Sequence, residues 1–429
     1  PLLRGPGLIS LLHDSDSSAV LSCSAMMDAL NEARLELPGI PADRYILTDA
    51  PGSPGYCGYA ELAASASDDP PPRAEISDDD IYNIIYSSGT TGHPKGIVHT
   101  HYIRAMYATL FASSYRFTPE SIVMHAGSLV FNGAFVTMLP AWLLGCTYIL
   151  QKRFDPVVFI DTVERERVTH VMMVPSQIVA VMNAPNFSAE ALSSLEMLCS
   201  VGAPFHREHK ERLLRTLDSS LYELYGLTEG FVTILDRTDF ASRIDSVGTP
   251  PPFIEMRILG EKGEVLAPGE VGEIAGRGPI LMPGYYKRPD LTAQAIVDGW
   301  LRTGDMGYVD EAGYLYLVDR KKDLIISGGV NVFPKDIEEI VVQHPSVREV
   351  AVFGVHHEKW GEAPVAAVVL NNAGDIEAED LRQWVNSRVA ARYQRVDKVV
   401  ILEDFPRSAA GKTLKRVLRD EFSTVSAAV

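Results

Sequence analysis

The sequence predicts an α/β protein: a large N-terminal domain of layered α/β subdomains with a β-rich subdomain, then a small α+β C-terminal domain. Three observations carry this expectation. From residue 99 to about 200, helix-like stretches alternate with short apolar runs at 146–150, 170–174 and 197–201, the texture of a substantially parallel sheet flanked by helices. From about 245 to 320, strand patterns at 254–259, 272–276 and 314–318 are divided by Pro- and Gly-rich turns. Beyond that a compact mixed unit follows. The 429 residues exceed one ordinary core, and the division is expected between 1–319 and 320–429.

The elements follow in order. Residues 66–79, rich in Pro, Ser and Asp, read as a surface connector. A strand pattern covers 81–86. The apolar stretch 134–150 holds Pro140, Gly145 and Cys146 and is shorter than the about 20 residues of a membrane span; it reads as a buried helix running into a buried strand. In the C-terminal part, Pro334 stands at a first helical position, with Ile337, Ile340 and Val341 on one face. Strands are expected at 347–355, 365–370 and 398–402, a helix at 381–391, and a basic closing helix from Thr413, with Lys415 and Arg416 on its exposed face.

Composition narrows the function. A hydrophobic share of 46% and a formal charge of −17 describe a soluble globular chain that repels nucleic acid. Four scattered cysteines with no C-x-x-C pair argue against a zinc ribbon or disulfide framework and fit a reducing, cytoplasmic setting. No signal peptide and no transmembrane segment is expected. Metal binding by His99 and His101 is not expected, and His206, His209, His356 and His357 are expected to face solvent.

The most informative segment is Tyr86-Ser87-Ser88-Gly89-Thr90-Thr91-Gly92-His93-Pro94-Lys95-Gly96. Its three glycines permit tight turns and close approach of a ligand. Its backbone amides and hydroxyls suit phosphate oxygens, and Lys95 adds a positive charge. The spacing departs from a Walker A loop, which needs G-x-x-x-x-G-K-[ST].

This loop resembles the phosphate-binding signature of the adenylate-forming superfamily, which contains acyl-CoA synthetases, luciferases and peptide-synthetase adenylation domains. Further motifs follow in that family's order. Tyr225-Gly226-Leu227-Thr228-Glu229-Gly230 is similar to its second core motif: the resemblance implies that Tyr225 stacks on adenine, Thr228 contacts the α-phosphate and Glu229 holds Mg²⁺. Ser200-Val201-Gly202-Ala203-Pro204 resembles the loop lining the adenine and acyl pockets. Trp300-Leu301-Arg302-Thr303-Gly304-Asp305 resembles the motif whose aspartate, here Asp305, accepts from the ribose hydroxyls.

The charge run Asp319-Arg320-Lys321-Lys322-Asp323 stands where the family has a ribose-binding Arg, here Arg320, and its hinge, here Lys322. Ser327-Gly328-Gly329 resembles the loop bordering the CoA tunnel. In Pro406-Arg407-Ser408-Ala409-Ala410-Gly411-Lys412, Lys412 matches the family's catalytic lysine. The C-terminal domain is therefore expected to be mobile.

The implied activity is that of an acid:CoA ligase. A carboxylate attacks the α-phosphate of MgATP, with Lys95, Thr228, Glu229 and Lys412 as the catalytic set. ATP, Mg²⁺ and coenzyme A are the expected cofactor and co-substrates, and a homo-oligomer is compatible. Phe131, Asn132, Gly202 and Gly226 are the candidate acyl-pocket residues. Asn132 carries no charge to hold an ammonium, which favours a fatty or aromatic acid over an amino acid. The alternatives are an acyl-AMP ligase loading a carrier protein, a luciferase-like oxygenase and an inactive nucleotide-binding remnant. The opening segment 8–15 resembles one lying well inside the family's N-terminal domain, so an N-terminally truncated member is expected.

Overall fold

The computed structural model describes residues 5–87, 95–217, 219–320, 323–327, 330–389, 391–407 and 413–425. The chain divides into two compact units, one running to Tyr102 and including Pro283–Pro289, the other holding Ile103–Met282 and the chain from Asp290 onward.

The first unit contains α1 (Pro6–Asp14), β1 (Val20–Ser22), α2 (Met27–Ala33), β2 (Tyr45–Leu47), β3 (Cys57–Gly58), α3 (Tyr59–Ser65), β4 (Ile81–Ser87) and β5 (Lys95–Thr100). Strands β1, β2 and β3 form a small parallel sheet. Its core is Leu12, Ala33, Leu37, Ile40 and Tyr45. The 66–79 connector is exposed and free of regular structure, as expected. Strands β4 and β5 pair antiparallel, with Ser87 opposite Lys95. The 284–286 segment flanks β5: Tyr285 bridges Ile97, and Tyr286 N–H donates to the Gly96 carbonyl at 2.7 Å.

The second unit opens with α4 (His101–Ser114), β6 (Ile122–Ala126), α5 (Asn132–Leu144), β7 (Thr147–Gln151), α6 (Pro156–Glu166), β8 (His170–Met173), α7 (Pro175–Met182), β9 (Met197–Val201), α8 (Arg207–Leu214), β10 (Leu221–Leu227) and β11 (Phe231–Leu235). The sheet order is β11-β10-β9-β8-β6-β7, parallel except for the β10–β11 hairpin. Successive strand residues point to opposite faces, and both faces are covered. Val123, Met172, Cys199 and Tyr222 pack with Phe111 and Tyr115 of the α4 side. Met124, Val171, Leu198 and Leu221 pack with Phe159, Ile160, Ile178 and Leu213 on the other. That double burial is why the strands read as unbroken apolar runs rather than alternating ones. Helix α6 starts where Asp155 accepts from the N–H of Val157 and Val158, both at 3.0 Å, with Pro156 at its first position.

One expectation is corrected here. The 134–150 stretch was expected to be buried throughout, and Ala134 and Val136 to Ala141 are, with Phe135 half-buried. Trp142 and Leu143 are exposed, and β7 is an edge strand with Leu150 facing out. An edge strand has one uncovered side, and apolar content alone does not reveal it.

The β-rich part comprises β12 (Glu255–Leu259), β13 (Gly272–Arg277), α9 (Pro289–Ala295), β14 (Ile296–Val297), β15 (Trp300–Val309) and β16 (Leu315–Arg320), paired antiparallel. It shares a core with the large sheet: Ile258, Ile274, Ile280, Leu301 and Leu315 pack with Phe231 and Tyr222. Close backbone approach joins the two. A Cβ on Gly276 would stand 2.0 Å from the Phe231 ring, and one on Gly248 2.0 Å from the Ile234 backbone.

The C-terminal part has β17 (Ile325–Ser327), β18 (Val330–Val332), α10 (Pro334–Val341), β19 (Val347–His357), β20 (Gly361–Leu370), α11 (Ala378–Asn386), β21 (Lys398–Leu402) and α12 (Lys415–Val425). Ile337, Val341, Leu381 and Val385 of α10 and α11 cover one face of its sheet, and Leu418 of α12 the other. Two expectations shift. The helix placed at 381–391 runs from Ala378 to Asn386, because the Asn386 side chain bonds both the N–H and the carbonyl of Val396 and turns the chain away. Lys415, placed on an exposed face, instead ion-pairs with the buried Glu338 at 2.7 Å.

Phe253 is held at φ 69° with its side chain exposed. A bulky residue in that region carries about 1–2 kcal/mol of strain. Phe253→Gly is therefore expected to raise the thermal midpoint, with a gain of about 1 kcal/mol; calorimetry measures it.

Candidate active site

By sequence motif, the candidate residues fall in both units, and each set is described within its own. In the first unit, Ser87 ends β4 and Lys95 begins β5, so the phosphate-loop signature is the connection of a hairpin. The Lys95 ammonium lies over the Tyr285 ring, 5.0 Å from its centroid, a cation–π contact. Ser88, Gly89, Thr90, Thr91 and Gly92 lie outside the described residues, as do Lys322, Gly328, Gly329 and Lys412. Gly96 plays a different part from a flexible loop glycine. A Cβ there would meet the Tyr86 ring at 2.9 Å, so the missing side chain makes room for that ring on the neighbouring strand.

In the second unit the candidates gather at the carboxyl ends of the parallel strands. Strand β10 carries Tyr225 and Gly226, and a tight turn then presents Thr228 and Glu229, all but the exposed Gly226 half-buried. The turn closes a hairpin, with Gly226 opposite Val232 and Leu227 opposite Phe231. Two backbone bonds fix the turn: Gly230 N–H to the Leu227 carbonyl at 3.1 Å, and Met282 N–H to the Glu229 carbonyl at 2.8 Å. Gly230 has φ 108°, and a Cβ there would stand 1.9 Å from the Ile280 carbonyl oxygen. Only glycine fits. Gly226 is constrained in the same way, by Phe231 and Val232 of β11.

Asp305 arrives from β15. The Thr303 hydroxyl donates to the Ile274 carbonyl at 2.7 Å and accepts from Asp305 N–H at 3.1 Å. The pairing of β13 with β15 slips between Glu273 and Ala275, and that of β15 with β16 between Met306 and Gly307. Such bulges re-aim side chains. The Tyr225 hydroxyl donates to Asp305 Oδ2 at 2.7 Å, and Arg320 stands opposite Asp305 in the β15–β16 register. Two side chains from separate motifs, Tyr225 and Asp305, thus meet, and a third motif supplies the strand position beside Asp305.

Gly202, at φ 88°, makes the turn after β9, followed by exposed Ala203 and Pro204. Phe131 and Asn132 start α5 at the end of β6. Asn132 Nδ2 donates to the Tyr107 hydroxyl at 2.9 Å. Burial pushes the Tyr107 phenol up, against the Arg104 charge and the Asn132 bond, which pull it down. Ser327 is buried on β17, opposite Gly361.

Arg104 is a residue that motif reading passed over. It is 3% exposed. Its guanidinium donates to Asn132 Oδ1 at 2.9 Å and lies over Phe135 and Tyr107, 4.2 and 4.8 Å from their centroids. Its signal was an arginine three positions before Tyr107 on an otherwise apolar helix face.

His206 and His209, expected in solvent, are partly covered. His206 Nδ1 lies 3.3 Å from Glu339 Oε1 of α10, and burial pushes His209 down. Beside them Lys210 and Glu223 form a buried ion pair, and Lys335 of α10 donates to the Leu317 carbonyl at 2.8 Å. Helix α10 is therefore fastened to the loop following Gly202-Ala203-Pro204.

A family model described as AMP-binding enzyme matches residues 1–286, and one described as AMP-binding enzyme C-terminal domain matches 336–412. The chain belongs to the AMP-binding enzyme family. Among its relatives, a feruloyl-CoA synthase of Amycolatopsis is 38% identical over 83% of this chain and 73% of its own length. A long-chain-fatty-acid–CoA ligase, FadD13, of Mycobacterium tuberculosis is 34% identical over 98% of this chain and 82% of its own. The ATP-bound structure of MatB from Rhodopseudomonas palustris superposes with a TM-score of 0.86 at 28% identity, covering 97% of this chain and 82% of that one. A two-part AMP-binding enzyme suits the observed set: an aromatic ring hydrogen-bonded to a carboxylate at the end of a parallel sheet is what a purine and a ribose diol require.

Two expectations can be measured on this site. Gly230→Ala forces a side chain onto the Ile280 carbonyl and is expected to lower stability by about 3 kcal/mol and to suppress ATP–pyrophosphate exchange; a melt and an exchange assay read both. Burial raises the Glu339 carboxyl, but the bond from His206 together with the charges of His206, Lys335 and Lys210 outweighs this and the net shift is downward. A depressed carboxyl stabilises above its unfolded value, about 4.3, and that contribution is lost as the pH falls through the folded value. Glu339→Gln should therefore melt below wild type at neutral pH, with the gap closing in acid.

Proposed function

We propose that this chain is an ATP-dependent carboxylic acid:CoA ligase acting on fatty or aromatic acids, in two half-reactions. In the first, a carboxylate oxygen attacks the α-phosphorus of ATP, the bond to the bridging oxygen breaks, and pyrophosphate leaves. In the second, the CoA thiolate attacks the acyl carbon of acyl-AMP and AMP leaves with the electron pair. The observation that carries this reading is the Tyr225–Asp305 hydrogen bond. It unites an adenine-facing ring and a ribose-facing acid that lie 80 positions apart in the sequence.

The residue roles follow. Tyr225 stacks on adenine, and Asp305 and Arg320 take the ribose. Gly202, Ala203, Pro204 and Gly226 edge the adenine and acyl pockets. Ser87, Ser88, Gly89, Thr90, Thr91, Gly92 and Lys95 take the β- and γ-phosphates, and Thr228 the α-phosphate. Glu229 fits a hard cation as a carboxylate on a pinned turn, and it would hold Mg²⁺. Magnesium keeps water and phosphate oxygens as most of its ligands, so one carboxylate is a sufficient protein contribution. Bound there, the ion would neutralise phosphate charge.

Lys412 supplies charge opposite the forming pentavalent phosphorus. The C-terminal part, from residue 320 onward, turns about Lys322 to withdraw Lys412 and bring Ser327, Gly328 and Gly329 to the pantetheine. The acid class rests on Phe131 and the neutral Asn132 and on the aromatic and fatty-acid ligases among the relatives. Four free cysteines fit a cytoplasmic, reducing setting, and no described helix is long and apolar enough to cross a membrane.

ATP–pyrophosphate exchange across a panel of fatty, cinnamic and amino acids tests the reading, and CoA against carrier protein as acceptor tests its second half. Exchange with fatty or aromatic acids and an acyl-CoA product are expected; no exchange with any acid defeats the proposal. Lys412→Ala should lower adenylate formation about a thousandfold while leaving thioester formation from supplied acyl-AMP within a few-fold of wild type.

A further inference from the structure

The carboxyl end of α1 carries two acids, Asp14 and Asp16, whose position is not explained by the helix itself. Negative charge at a helix C-terminus is unfavourable, and Asp16 is moreover held at φ 49°, a left-handed conformation that costs most residues energy. Asp14 spends an oxygen on the β4–β5 hairpin, and Asp16 on the 284–287 segment that flanks β5. The Tyr86 hydroxyl donates to Asp14 Oδ2 at 2.6 Å, across 72 positions of sequence. Tyr86 is the penultimate residue of β4, and its partner in the register is Gly96, whose absent side chain leaves the ring its path. On the other side of the hairpin, the Tyr286 hydroxyl donates to Asp16 Oδ2 at 2.9 Å, and Lys287 ion-pairs with the same carboxylate. Tyr286 is in turn bonded to the Gly96 carbonyl through its own N–H at 2.7 Å.

We propose that Asp14 is a positioning residue for ATP: through Tyr86 it fixes the hairpin stem whose strand ends carry Ser87 and Lys95, with Asp16 fixing the opposite side through Tyr286 and Lys287. The inference rests on the reading of Lys95 as a phosphate ligand. Its physical content is preorganisation. A cation on a clamped stem loses less freedom when it meets an anion than one whose stem moves. Tyr86 stays a donor because burial first, and Asp14 second, push its phenol far above the neutral range. The Asp14 clamp acts before any chemistry, so its loss weakens ATP capture and leaves the acid untouched.

The test compares Asp14→Ala, Asp14→Asn and Tyr86→Phe with wild type in ATP–pyrophosphate exchange, varying MgATP and the acid separately. Asp14→Ala and Tyr86→Phe are each expected to raise the KM for MgATP about tenfold, with kcat and the KM for the acid within about twofold, since a hydrogen bond to a charged acceptor is being removed. Asp14→Asn keeps an acceptor for the phenol and should recover most of the loss. The double variant Asp14→Ala/Tyr86→Phe should be no worse than either single one, because one bond is lost in each case. An unchanged KM for MgATP in both single variants, or effects of the two that add, overturns the proposal. If Asp14→Ala proves too unstable to assay, Tyr86→Phe decides alone. Lys95→Ala separates the two readings: if it too leaves the KM for MgATP unchanged, the phosphate-site reading has failed; if it raises that KM while Tyr86→Phe does not, only the clamp has.

Discussion

The nucleotide side of this protein depends on backbone running against backbone without side chains between. At Gly230 the β10–β11 turn meets the Ile280 carbonyl, at Gly248 the chain after β11 meets the Ile234 backbone, and at Gly276 strand β13 meets the Phe231 ring, each so closely that a single methyl would overlap. Packing at that distance leaves no slack. It fixes the height of the turn bearing Thr228 and Glu229 against the bulged strand bearing Asp305, and so allows a phenol and a carboxylate from different sheets to meet at hydrogen-bond distance. The glycines set the geometry of the residues proposed to meet the nucleotide.

A second constraint is electrostatic. The chain carries a formal charge of −17, so any site for a polyphosphate must be made locally attractive. Two cations near the proposed site residues are held by neighbours: Lys95 over Tyr285, and Arg104 between two rings and an amide. Around α8 and α10 the charges serve attachment instead. The Lys210–Glu223 pair is buried, and burial pushes the Glu223 carboxyl up even as Lys210 pulls it down. A pair in such surroundings is costly to break from one side, and it backs the strand that ends in Tyr225.

Much of this was legible in the sequence. The doubly covered sheet announced itself as the apolar runs ending at Val201 and near Met173, and the start of α10 at Pro334 was marked by proline and by the spacing of Ile337 and Val341. The motif residues Tyr225, Asp305 and Arg320 could be named from their order alone. What could not be read were relations between distant positions. Nothing near Asp14 says that its partner is Tyr86, and nothing near His206 points to Glu339. Lys415 looked like part of a solvated basic run until α10 supplied Glu338. Edge position was hidden for the same reason: Leu150 has the chemistry of a core residue and lacks only a neighbouring strand. The helix expected at 381–391 ended early because of Asn386, whose two bonds to Val396 are tertiary.

The strand order has its own effect on where an organic acid can sit. From β6 the chain steps outward to β7, then returns across to β8 on the other side of β6. The helix leaving β6 covers one face of the sheet, and the helices that follow cover the other. Where neighbouring connections diverge in this way, a crevice opens beyond the strand ends, and the residues at its lip are Phe131 and Asn132. In the proposed reading of Phe131 and Asn132 as acyl-pocket residues, the cleft for the acyl chain is a by-product of topology, made before any particular side chain is chosen. Variation along 127–132 would then re-tailor the acid accepted while the β10–β11 hairpin, fastened elsewhere, stays as it is.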